Sequence, residues 1–185
     1  MNPNVYRRPS GPSTLQVRHR PRGPEFGGQP IAAPIAIDKA TECHVTPSDV
    51  ASRMRDYLGH PVGLLDPSAG TGALIAGAEA DTITAVERNP SLCDGLAASF
   101  PDVVLVRGCF LEWRTDATFD SIIMNPPFRK ALEHVKKAIS LLAPGGALVA
   151  LVPVTFKMGD ELERLPADTF ALARVHTKIV YITND

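Results

Sequence analysis

Asn125-Pro126-Pro127-Phe128 sets two fixed hydrogen-bond acceptors beside a flat apolar face. Consecutive prolines lock the backbone and remove two N–H donors. A carbonyl in such a loop is held in one place to accept a hydrogen bond. The side-chain oxygen of Asn125 is a second acceptor. Two acceptors aimed at one point suit an NH2 group, and Phe128 offers a planar substrate a surface for stacking. A capped, proline-rich turn between a strand and a helix is the plainer alternative.

Asp66-Pro67-Ser68-Ala69-Gly70-Thr71-Gly72 is a second candidate. It fails both phosphate-binding patterns. Ile75 stands where a dinucleotide fingerprint needs its third glycine. Gly72 and Gly77 have P-loop spacing, but Ala78-Glu79 follow where lysine and a hydroxyl residue are required. The glycines still let a ligand approach the backbone. Asp66 at the head of the loop suits a ligand with a positive group better than one with phosphates. An ordinary tight strand–helix turn is the alternative. Glu87, about twenty residues after the loop begins, can hydrogen-bond both hydroxyls of a ribose. An exposed acid at a strand end would look the same.

These residues need a scaffold, and the pattern supplies one. Short apolar runs at Val62–Leu65, Thr82–Val86, Val103–Val106, Ser121–Met124 and Ala147–Val152 read as five buried strands. Thr46 is expected to cap a helix with Val50, Met54 and Tyr57/Leu58 on one face. A short helix is expected from Ala73 to about Ala80. Asn89-Pro90 opens another, with Leu92, Leu96 and Phe100 inward. A further helix carries Leu132, Val135, Ile139 and Leu142 until Pro144-Gly145-Gly146 stops it. The stretch Leu165 to Ile182 is expected to add one or two edge strands. Alternating strands and helices imply a mostly parallel, Rossmann-like α/β sheet with helices on both faces, in a single domain over residues 38–185. Asp66, Glu87 and Asn125 then converge at the carboxyl ends of their strands, where open α/β sheets bind ligands.

Residues 1–37 differ from the rest. They hold seven of the 17 prolines and five arginines (Arg7, Arg8, Arg18, Arg20, Arg22) against one acid, Glu25. Without an apolar period, this segment is expected to be a disordered tail. It is either an arm for phosphates or a solvated tail with incidental charge. The whole chain carries a net charge of −1, which excludes a uniformly basic nucleic-acid binder. Aromatics at 6% argue against a stacking platform rich in aromatics. The longest apolar run, Ala147 to Val154, is far short of a membrane span, and no secretory signal is present. Cys43, Cys93 and Cys109 are widely spaced, and neither CxxC nor HExxH occurs, so no metal site is expected. A reducing, cytoplasmic setting follows. Within these 185 residues no separate recognition domain is expected, so any strong sequence preference is expected to come from the tail or a specificity-conferring partner.

Together, these residues resemble class I S-adenosylmethionine-dependent methyltransferases, in particular the amino-group enzymes that act on adenine N6. The resemblance runs from Thr46 to about Ile182. The Asp66–Gly72 segment, with Pro67, Ser68 and Gly70, looks like the cofactor-binding motif. Glu87 matches the acid that holds the cofactor ribose, and Asn125-Pro126-Pro127-Phe128 matches the catalytic tetrapeptide. Thr46-Pro47 is similar to a segment that holds the methionine carboxylate. Cys109-Phe110 stands where the family usually has Asp-Phe, whose acid contacts the cofactor's adenine. A thiol is a poor acceptor, so that contact is weakened or comes from backbone, while Phe110 still packs on the ring. The resemblance implies S-adenosylmethionine as cofactor and a nucleic-acid substrate, DNA ahead of RNA. Protein glutamine, which also presents an NH2, and a catalytically silent cofactor-binding scaffold are the further readings.

Overall fold

The computed structural model describes residues 45–170 and 176–184. The tail expected over 1–37, the domain start at 38 and Cys43 lie outside the described residues. In chain order the elements are α1 (Ser48–Asp56), β1 (Gly63–Asp66), β2 (Thr82–Glu87), α2 (Pro90–Ser99), β3 (Val104–Arg107), β4 (Phe119–Met124), α3 (Ala131–Ile139), β5 (Leu142–Pro153), β6 (Asp160–Arg164) and β7 (Thr177–Thr183). A 3-10 turn, Phe128–Lys130, leads into α3.

The strands form one sheet of order β3-β2-β1-β4-β5-β7-β6. The first five are mutually parallel. β7 is antiparallel to both β5 and β6. Apolar side chains leave the sheet alternately to its two faces. Leu65, Val86, Ile122, Met124, Leu148, Ala150 and Val152 pack with Val135 and Ala138 of α3. Leu64, Ile123, Val149 and Leu151 pack with Val50 and Met54 of α1. Both faces are therefore covered, which explains why the strands are continuously apolar. Each fully buried Leu, Ile or Met contributes about 1.5–3 kcal/mol through its removal from water.

Asn89 caps α2 as expected, its side chain accepting from the Ser91 and Leu92 backbone N–H groups. Four other expectations change. Thr46 does not cap α1; Pro47 occupies the cap position and makes no side-chain bond there. No helix spans 73–80. Gly77, at φ +74°, ends a single turn, and Arg55 of α1 donates to the Ala73 and Leu74 carbonyls. Four residues between the left-handed Gly72 and Gly77 are too few to sustain a helix.

The inward face of α3 is Ala131, His134, Val135 and Ala138, while Leu132 is 48% exposed. That helix ends at Ile139, where the Ser140 hydroxyl takes the Lys137 carbonyl. Leu142 and Pro144-Gly145-Gly146 belong to β5, held by Asn184, whose backbone and side chain bond residues 142–146. Finally, β7 is not an edge. The edge is β6, whose sequence Asp-Glu-Leu-Glu-Arg has no strand-like apolar alternation. A charged edge strand discourages pairing with other chains.

Candidate active site

Asp66, Glu87 and Asn125 follow or end β1, β2 and β4, which are neighbours in the sheet. The chain runs outward from β1 to β3 and then returns to β4 on the other side of β1. This switch point opens a cleft of about 240 Å3 above the strand ends. Thr46, Pro67, Ser68, Gly70, Glu87, Cys109, Phe110, Asn125 and Pro127 line it. Pro47, Asp66, Gly72, Pro126 and Phe128 do not.

Glu87 is 8% exposed, and each of its carboxylate oxygens accepts one backbone N–H. Its Oε2 accepts from Gly70 N at 2.8 Å and its Oε1 from Asn89 N at 2.7 Å. The Cys93 thiol, pushed up in pKa by burial, donates to the Glu87 carbonyl. The acid at the end of β2 is thereby locked to the glycine loop on one side and to α2 on the other. Gly108 N donates to the same Glu87 carbonyl, joining the residues after β3 to the site.

Asp66 lies beneath the cleft, with no exposed surface. Its Oδ1 accepts from Ser68 N at 3.0 Å and shapes the loop. Its Oδ2 is buried without a hydrogen-bond partner among the described residues. Burial pushes its pKa up to about 7, the Ser68 bond opposes this, and Glu87 adds to the rise. Asp66 therefore does not present its carboxyl to a ligand at the cleft surface, as its place in the sequence suggested. It supports the loop that does.

Gly72 also has a different reason from ligand access. At φ +84°, its missing Cβ would sit 2.4 Å from the Phe100 ring and 3.0 Å from Leu96. The loop passes close over α2, and only glycine fits there.

Asn125 is half-buried, and its Nδ2 donates to Thr46 Oγ1 at 3.0 Å. The Phe128 ring meets Phe170 edge-on at 6.4 Å. Phe110 is 3% exposed, stacked at 5.9 Å and 32° on His134 and at 6.4 Å on Trp113. The Lys137 ammonium lies 5.0 Å from its centroid and donates to the Phe110 and Trp113 carbonyls. The ring that was expected to pack on a base is thus mostly committed to the core, leaving a small part at the cleft.

His134, Arg88 and Leu111 also line the cleft, and sequence reasoning does not single them out. His134 sits one turn into a helix, on the inward face beside Ala131, and nothing local distinguishes it from a core histidine. Arg88 follows Glu87 directly, a position that signals exposure and nothing more.

The cleft's donor set fits an adenosyl group joined to an amino acid. It offers backbone along Gly70, an acid at Glu87 and apolar walls at Leu92, Phe110 and Leu111.

No family model matches the chain. The fold is that of class I S-adenosylmethionine-dependent methyltransferases. It superposes on the 23S rRNA methyltransferase ErmE with a TM-score of 0.67 at 14% identity, covering 77% of this chain and 70% of that one. A Listeria monocytogenes protein assigned to the class gives 0.61 at 18% identity, covering 78% and 62%. A dimethyladenosine transferase from Plasmodium falciparum gives 0.62 at 13% identity, covering 76% and 63%. In sequence, the chain is 32% identical over 89 residues to the Type II methyltransferase M.CvrRI of Paramecium bursaria Chlorella virus XZ-6E. That stretch covers 45% of this chain and 23% of the viral protein, so the chain spans about a quarter of that relative. No helix among the described residues is long and apolar enough to cross a membrane.

Proposed function

We propose that the chain transfers a methyl group from S-adenosylmethionine to the exocyclic N6 amine of adenine in DNA. The observation that carries this reading is Asn125 at the cleft rim, its side chain held by Thr46, at the start of the Pro126-Pro127-Phe128 run. Similarity to a type II (DNA) methyltransferase favours DNA over RNA.

When bound, the cofactor supplies a methyl group on a sulfonium, a good leaving group. Glu87, Gly70 and Thr46 would hold it along the cleft. An adenine amine is a weak nucleophile because its lone pair is delocalised into the ring. Nδ2 of Asn125 donates to Thr46, and on this reading Oδ1 accepts from the amine. The Pro126 carbonyl accepts from its second hydrogen. Both stabilise the positive charge that builds on nitrogen. Phe128, braced by Phe170, stacks on the target base. In a duplex that base must first leave the helix.

RNA is the second reading, favoured by the likeness to ErmE. Labelled S-adenosylmethionine offered with duplex DNA, single-stranded DNA, RNA and protein in parallel separates the two. Label on N6 of DNA adenine is expected. Label only in RNA makes the second reading correct, and label only in protein overturns both. Cofactor binding with no transfer to any of them leaves a silent scaffold.

A further inference from the structure

His134 stands at the Cys109–Phe110 end of the cleft and is 7% exposed. Its Nδ1 is 3.0 Å from the Lys130 carbonyl. A carbonyl oxygen only accepts, so Nδ1 carries the proton. In the neutral ring the lone pair is then on Nε2. Burial lowers the pKa of the ring, and Lys130 and Arg88 act in the same direction. The Lys130 carbonyl and Glu133 oppose them without reversing the direction. Among the described residues, the bond to Lys130 is the ring's only hydrogen bond. The wall of the cleft therefore contains an acceptor of fixed tautomer and no protein partner.

The polar groups of Cys109 and Phe110 beside it are engaged or weak. The Cys109 carbonyl accepts from Glu112 N and Trp113 N. The Phe110 carbonyl accepts from Trp113 N and Lys137 Nζ. The Cys109 thiol is a poor acceptor. On the reading of the cleft as an S-adenosylmethionine site, sheet order gives the direction of the bound ligand. The reacting end belongs at Asn125 after β4, the ribose at Glu87 after β2, and the base beyond it, where Gly108–Phe110 follow β3.

We propose that His134 Nε2 accepts a hydrogen bond from the exocyclic amine of the cofactor's adenine and so selects adenine at that end of the cleft. This rests on the reading of the cleft as an S-adenosylmethionine site. A carbonyl in place of the amine, as in an inosine ring, would set two acceptors against each other.

The test is calorimetric binding of S-adenosylhomocysteine and of S-inosylhomocysteine. Wild type is expected to prefer the adenosyl ligand about tenfold, the contribution of one well-placed hydrogen bond. His134→Phe keeps an aromatic ring against Phe110 and should bring the two affinities together by weakening the adenosyl ligand alone. His134→Gln, with a carboxamide acceptor, should restore part of the preference. In unchanged protein, the imidazole 15N resonance of Nε2 should move on addition of the adenosyl ligand and not of the inosyl one. This measurement decides the matter even if the variants fail to fold. Equal weakening of both ligands in His134→Phe, no preference in wild type, or an unmoved Nε2 resonance overturns the role of His134 and leaves the cofactor reading intact. Binding of neither ligand to wild type overturns the cofactor reading and this inference with it.

Discussion

The carboxamide Nδ2 of Asn125 donates to the hydroxyl of Thr46, 79 residues earlier in the chain, at 3.0 Å. Thr46 directly precedes the cap of α1, and α1 is seated on the sheet by Val50 and Met54. The packing of a helix thereby holds the Asn125 side chain in place at the cleft. Thr46→Val keeps the shape and removes the oxygen. Methyl transfer should fall about 10–100-fold in kcat, with Thr46→Ser close to wild type. Asn125→Ala should cost at least about 100-fold in kcat while S-adenosylhomocysteine affinity changes little. Unchanged kcat in Asn125→Ala would remove its proposed role.

Asp66 has a raised pKa of about 7 against an ordinary 3.8. Between these values the folded state holds a proton that the unfolded state has released. Stability therefore falls as pH rises through that window, and above it the full cost applies, on the order of 4 kcal/mol. Asp66→Asn keeps an acceptor for Ser68 N and removes the charge. Urea unfolding at pH 5 and pH 8 should show the variant gaining stability over wild type chiefly at pH 8. An equal difference at both pH values would contradict the shift.

Gly72→Ala should destabilise by about 2–4 kcal/mol, because it combines a positive φ with a Cβ driven into the Phe100 ring. Adding Phe100→Leu should recover part of the loss by removing the nearest ring atoms. Denaturant midpoints of the single and double variants measure this directly.

Lys137 spans from α3 to the Phe110 and Trp113 carbonyls. Lys137→Met retains the apolar stem and removes the donor. Losses of about 1–3 kcal/mol are expected. Amide exchange should accelerate at Glu112 and Trp113, whose N–H groups close the turn after β3. Uniform acceleration across the sheet would mean a global effect instead.

The arginines of residues 1–37 are proposed to bind phosphates. Deleting residues 1–30 should weaken nucleic-acid binding and flatten its salt dependence. On duplex DNA the log–log slope should shrink by about 0.9 for each phosphate that is no longer neutralised. No change in either would leave the segment without this role.

Local pattern carries a large part of the fold. The five parallel strands, the Asn89-Pro90 helix start and the meeting of Asp66, Glu87 and Asn125 at one sheet edge follow from short apolar runs and the residues that end them. Those signals depend on neighbours a few positions away. The charged β6 is not legible in the same way, because its place comes from pairing with β7 rather than from its own composition. The inward face of α3 is displaced by one position from the apolar pattern: Ala131, His134 and Ala138 are buried with Val135, while Leu132 faces outward.

By itself, then, the sequence determined an alternating α/β chain with three polar strand ends and a rigid Asn-Pro-Pro-Phe turn after the fourth strand. Only the tertiary structure decided what those residues do to one another. Thr46 serves Asn125 instead of a helix cap, Gly72 yields to Phe100 instead of a ligand, Asp66 lies below the cleft, and His134 faces into it. The partners lie 79 residues apart in the first case and 28 in the second. At such separations no periodicity links one residue to the other, and only the packed chain brings them within hydrogen-bonding or van der Waals distance.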